Sequence, residues 1–119
     1  MGEKGRDIGE RLIKVAVRVV KLVEVLPRTT AGKTLGSQVL RSATSAGANF
    51  EESRGAESKK DFEHKLGIVL KELRETCYWL RIISAAGLVR PARLSGLTDE
   101  VEERCRVIAS SLVTSRSHP

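Results

Sequence analysis

Two histidines, His64 and His118, and two cysteines, Cys77 and Cys105, are the side chains best suited to acid–base, nucleophilic or metal chemistry. Their surroundings bound what the chain can do. A di-iron centre in a helical bundle needs Glu-x-x-His on two helices, with further Glu. Only Asp61-Phe62-Glu63-His64 approaches that pattern, and only once. Helical ribonucleases that use an Arg and His pair set the two roughly four to six residues apart. Positions 58–60 are Ser-Lys-Lys, and Arg116 stands too close to His118. Zinc needs ligands grouped at short spacing, whereas Cys77 and Cys105 are far apart and have no His pair nearby. No Gly-x-Ser-x-Gly elbow presents a serine nucleophile. The stretch "SATSAGANFEESRG", Ser42 to Gly55, lacks both the Lys-Ser/Thr ending and the preceding strand of a phosphate-cradling loop. The expectation is no catalytic residue, no metal and no cofactor, hence a protein that is not an enzyme.

Binding chemistry is better represented. The chain carries a formal charge of +6; residues 1–60 hold 12 Lys and Arg against 7 Asp and Glu, and the remainder 9 against 8. Such an excess suits a basic surface facing a polyanion, and it equally serves solubility. At about 100° per residue, Arg11, Lys14, Arg18 and Lys21 fall on one stripe with no acid inside it. This stripe is the leading candidate for contact with nucleic-acid phosphates, and Arg41, Lys59 and Lys60 are secondary candidates. A solvated helix face is the plainer alternative. Only four residues are aromatic, too few for a surface on which successive bases stack.

These side chains must be positioned by helices, because apolar residues recur in steps of three and four and no strand-like alternation is present. The expected fold is all-α, an antiparallel up-down-up-down four-helix bundle in a single domain, with helices over about 8–26, 33–54, 59–87 and 98–113 and flexible ends at 1–7 and 114–119. Pro27 ends the first helix. The second runs through "SATSAGANFEESRG", whose small residues let a neighbouring axis approach closely. Ser58 with Asp61 resembles a capping box for the third helix, and Gly87 suits its C-terminus. Pro91 is expected to keep the following link non-helical, with Thr98, Asp99 and Glu100 opening the fourth helix.

The first helix is apolar over too wide an arc. Ile13, Val17, Val20 and Leu22 widen the stripe of Ile8, Leu12, Val15, Val19, Val23 and Leu26 to about 220°, against the roughly 100° that a surface helix requires. Another copy of the chain is the simplest cover, so self-assembly is expected. The isolated cysteine pair reads as reduced thiols in a cytoplasmic protein. The apolar runs are far too short to span a membrane. Asn49, Glu52, Glu72 and Glu75 are the polar residues expected to make structural contacts inside the bundle. Glu72 or Glu75 would accept from the Asn49 amide, a contact that fixes helix register more simply than it makes a ligand site.

The segments "SQVLRSATSAGANFEESRG" and "SKKDFEHKLGIVLKELRETCYWLRII" resemble the four-helix-bundle proteins of 23S rRNA intervening sequences. The similarity spans about residues 8–113 and is strongest from Leu26 to Leu88. It rests on Ser37, Arg41-Ser42-Ala43, Ser45, Ala48-Asn49, Glu52, Ser58 with Asp61-Phe62, and Lys71-Glu72 with Glu75. The resemblance implies a homopentameric ring. Through a related branch, the accessory proteins of diversity-generating retroelements, it also implies nucleic-acid binding, RNA foremost, and partnership with a reverse transcriptase or other enzyme. Many members have Ile-Pro before Ala-Asn, where this chain has Ala46-Gly47. A proline there removes a backbone donor and bends a helix. Gly47 permits a bend without imposing one.

Overall fold

Four long helices form because each carries an apolar stripe that only a neighbour can cover, and turn residues separate them. The computed structural model describes residues 2–118, so Met1 and Pro119 of the expected flexible ends lie outside the described residues. The helices are α1 (Gly2–Val25), α2 (Thr30–Arg54), α3 (Lys59–Ala85) and α4 (Pro91–Arg116). No strand occurs among the described residues. The molecule is elongated, 49 × 21 × 20 Å. Its core joins Leu12, Val15 and Val19 of α1 to Val39, Ala43 and Phe50 of α2, Leu66, Leu73 and Leu80 of α3, and Leu94, Val101 and Ile108 of α4.

Successive helices pack on one another, and α1 also meets α4. Side-chain contacts run in opposite senses along neighbours. On α2 and α3, Arg41 meets Glu72 and Glu52 meets Lys65. On α3 and α4, Glu63 accepts from Ser115 at 2.6 Å, while Lys59 reaches the carbonyl of His118.

The helix ends follow local chemistry. Thr29 caps α2 by accepting from the Gly32 amide at 3.1 Å. A β-carbon at Gly32 would lie 1.9 Å from the Pro27 carbonyl oxygen, so the α1–α2 turn demands glycine there. Ser58 accepts from the Asp61 amide at 3.0 Å, but the Asp61 carboxylate takes the amide of Glu57 at 3.4 Å rather than that of Ser58, so the capping box is offset by one residue. Past Ala85, Gly87 adopts φ +69, and the amides of Gly87 and Leu88 reach the carbonyls of Ser84 and Ile83 at 3.0 and 3.2 Å. This paired closure uses the left-handed residue that glycine supplies most cheaply.

Four expected boundaries differ. Besides the starts of α1 and α4, α2 begins at Thr30 rather than near Lys33. The end of α4 runs to Arg116, through part of the end expected to be flexible, where Ser115 is held by Glu63. α4 begins at Pro91, not near Thr98. Proline suits the first helical position because its missing N–H would have no helical partner there, and the added turns bury Leu94 and Leu97. At the other end of the chain α1 already includes residues 2–7, with Gly5 buried. The remainder of "SATSAGANFEESRG" up to Arg54 is the C-terminal half of α2, burying Ser42, Ala43, Ala46, Phe50 and Ser53. Ser42 and Thr76 hydroxyls meet at 2.8 Å across α2 and α3, and Thr76 donates onward to the Glu72 carbonyl at 2.8 Å. Buried hydroxyls are thereby satisfied between the two helices.

Candidate nucleic-acid interface

The α1 stripe lies beside α4, and its four cations differ in what they touch. Arg11 approaches Asp7 at 3.5 Å and Glu100 at 3.8 Å. The Arg18 guanidinium lies over Gly96 of α4, 3.3 Å from where a β-carbon would stand. Lys14 and Lys21 are exposed, with no acid within salt-bridge range among the described residues. Half of the stripe is thus engaged with α4 and half is free.

Of the secondary candidates, Arg41 is committed within the chain. Its guanidinium meets Glu72 at 3.1 Å and also holds Glu75. Glu75 in turn accepts from the Trp79 indole N–H at 3.2 Å. Desolvation pushes the Glu75 carboxyl up, but hydrogen bonds from Trp79 and Arg41 outweigh it and hold its pKa below the ordinary value of 4.5. Glu72 and Glu75 are therefore taken by Arg41. The expected bond from Asn49 to one of them does not form. Instead, the Asn49 amide donates to the carbonyl and hydroxyl of Ser45, one turn back on its own helix, at 2.9 and 3.1 Å. An arginine long enough to cross the gap from α2 satisfies the α3 acids first. Glu52 pairs with Lys65 at 2.8 Å, a bond that raises the lysine pKa. Lys59 is exposed, its ammonium on the His118 carbonyl, and Lys60 is exposed with no ion pair among the described residues.

A larger basic surface, missed in the sequence, runs along α3. Between Lys59 and Arg81 the exposed positions are Lys59, Lys60, His64, Lys71, Arg74, Tyr78 and Arg81, with no acid among them. Lys60, Lys71, Arg74 and Arg81 make no ion pair among the described residues. The acids of α3 sit on its flanks or face inward: Asp61 accepts a backbone amide, Glu63 takes Ser115, and Glu72 and Glu75 take Arg41. From Lys60 to Arg81 the ridge is about 32 Å long at the helical rise of ~1.5 Å per residue. Its signal was the complement of the apolar stripe Phe62, Leu66, Val69, Leu73, Leu80 and Ile83. Those residues mark the buried face, and the cations stand opposite.

The chemistry-bearing residues do not assemble elsewhere. His64 and His118 are exposed, and among the described residues no three His, Cys, Asp or Glu side chains group as metal ligands would. Cys77 and Cys105 are free thiols on α3 and α4 that line an open depression of about 470 Å³ together with Arg74, Arg81, Arg106 and one acid, Glu102. The neighbouring Cys77 thiol, helped by Arg74 and Arg106 against burial, draws the Cys105 pKa down, while Cys105 and burial push Cys77 up. No helix among the described residues is long and apolar enough to cross a membrane.

Four helices around one apolar core, with a basic ridge on the outside, define an all-α helical protein whose prominent surface is cationic. The family model for the 23S rRNA-intervening sequence protein matches residues 6–110, and the chain belongs to that family. Among solved structures it is similar to a protein with unknown function from the S23 ribosomal protein family of Bacteroides thetaiotaomicron VPI-5482. The two share 31% identity and a TM-score of 0.83, over 88% of this chain and 97% of that one. No curated protein matches the chain.

Proposed function

We propose that this chain is a non-enzymatic, homo-oligomeric four-helix module, wound up-down-up-down, that binds nucleic acid, with RNA its first ligand, in the cytoplasm. The observation that carries the reading is the α3 face, where four cations stand exposed without an acid partner. Lys14 and Lys21 of α1, a helix that does not pack on α3, add a separate pair of free cations. The opposed numbering of side-chain contacts between neighbours supports the up-down winding.

Assembly rests on α1. Ile13, Val17 and Val20 are 52%, 46% and 42% exposed and share one side of the helix. Three half-exposed β-branched residues side by side suit burial against another copy. A ring of five, which the family resemblance implies, would repeat the basic ridge around an axis and multiply weak phosphate contacts.

The test is binding of a labelled structured RNA and a matched DNA duplex across a salt series, with polyglutamate as an acidic control. If Lys60, Lys71, Arg74 and Arg81 each neutralise one phosphate, log K should fall with log[salt] at a slope of about −2.8 per engaged protomer on single strands. That amounts to roughly 50-fold between 50 and 200 mM salt. Lys71→Gln with Arg74→Gln should halve the slope, leaving a loss of about 7-fold over the same range. Charge reversal of Lys14 and Lys21 tests the α1 stripe in the same assay. A slope unchanged by the α3 substitutions removes the ridge as the site. Equal, weak, salt-abolished binding to all three polymers favours a scaffold for a protein partner such as a reverse transcriptase.

A further inference from the structure

Resting on the nucleic-acid reading, we infer that the α3 ridge holds an unpaired nucleotide by stacking its base on Tyr78, so that its preferred ligand is RNA with a single-stranded segment rather than continuous duplex. Tyr78 is 56% exposed, while Phe50 is buried and Phe62 and Trp79 are partly buried, so the chain offers one aromatic face and offers it on the ridge. Arg74 lies one turn before it and Arg81 nearly one turn after, both exposed and unpaired with any acid among the described residues.

The ring is braced. Trp79 meets it edge-on, with centroids 5.1 Å apart and planes at 65°. The Trp79 indole is held by Glu75, and Glu75 by Arg41 of α2. An exposed tyrosine on an unsupported helix would be one mobile side chain among many. Here a chain of contacts reaching a second helix limits its freedom, which lowers the entropy lost when a base settles on it.

Geometry then selects the ligand. Arg74 and Arg81 lie about 6 Å and 4.5 Å along the axis from Tyr78 at the helical rise, so cations flank the ring on both sides as phosphates flank a base. In a duplex the base faces are covered by their neighbours, and only groove edges and backbone are presented. An unpaired base offers the face that an aromatic ring or a guanidinium plane can cover. A polyanionic protein offers charge without such a face.

Short oligoadenylate RNA and a blunt RNA duplex of equal length serve as probes, titrated against wild type, Tyr78→Ala, Tyr78→Phe and the Lys71→Gln/Arg74→Gln pair. Base–aromatic stacking predicts that Tyr78→Ala weakens oligoadenylate binding roughly 5- to 150-fold. Duplex affinity and the salt slope should stay unchanged, and Tyr78→Phe should restore binding. Trp79, the single tryptophan, should change its fluorescence with oligoadenylate and not with duplex. If Tyr78→Ala leaves oligoadenylate affinity unchanged while the cation pair weakens both probes, the stacking inference fails and the nucleic-acid reading stands. If neither substitution alters binding, both fail. Circular dichroism of each variant verifies the fold, which an exposed side chain should not disturb.

Discussion

Arg104 should be a charge that the fold is better off without. Its side chain on α4 is 5% exposed, with Nε 3.1 Å from a carboxylate oxygen of Glu100. The approach is misaligned, so that buried Nε–H makes no hydrogen bond. Glu100 is itself 29% exposed and shared with Arg11 at 3.8 Å. Its Nε–H has therefore lost water and gained an attraction without a directed bond. A buried unsatisfied donor costs about 1–3 kcal/mol, and replacing a buried ion pair by a packed apolar side chain is often neutral or stabilising by about 1–4 kcal/mol. Arg104→Met keeps much of the apolar stem and a similar helix propensity. Allowing for the lost attraction to Glu100, the expected gain is about 1–2 kcal/mol. For a chain of this length, that raises Tm by roughly 3–10 °C.

Glu100→Gln should act in the opposite direction. It leaves Arg104 buried without a counter-charge, and breaking a buried pair from one side costs about 3–5 kcal/mol. Partial exposure of Glu100 moves the expectation to the lower end of that range. Urea unfolding followed by far-UV circular dichroism measures both variants, at one fixed protein concentration because the proposed assembly would shift apparent stability. A destabilised Arg104→Met beside an unchanged Glu100→Gln would refute the reasoning, because it would mean that Arg104 is bonded by something other than Glu100.

Val17→Glu or Ile13→Glu should leave the fold within about 0.5 kcal/mol, since both positions are exposed in the single chain, but should dissociate the proposed oligomer, because burying an unpaired carboxylate is costly. Sedimentation would show monomers; an unchanged mass removes α1 as the interface. The Arg41–Glu75–Trp79 contact should be sensitive to acid. The folded pKa of Glu75 lies below 4.5, so its contribution is present above that value and is lost as pH falls through the folded pKa. Trp79 fluorescence should change only in that acidic window, with no such transition in Glu75→Gln. A transition at or above 4.5 in the wild type contradicts the assignment.

How much was legible in the sequence varied with how local the cause was. The α3 ends were legible because Ser58 and Gly87 act on backbone groups within a turn of themselves. Pro91 was misread because proline both stops a helix and starts one, and the choice depended on whether the core had room for Leu94 and Leu97. The Asn49 partner was misassigned because Arg41 competes for the same acids, and side-chain reach between helices is not written in spacing along one of them. The α3 ridge was available as the complement of an apolar stripe. The brace under Tyr78 was not, since it needs α2 packed beside α3.

By itself the sequence determined the helical class, the positions of most turns, the excess of positive charge and an α1 more apolar than one core can use. Those follow from periodicity, capping chemistry and charge, which act over a few residues or add up without regard to geometry. Only the tertiary structure decided which cations are spent inside the chain and which face outward. Arg11 and Arg41 found acids on neighbouring helices, Arg104 became buried, and Lys71, Arg74 and Arg81 were left on the outer face. Pairing is a contest between residues distant in sequence, settled by which helices lie side by side and how far each side chain can reach.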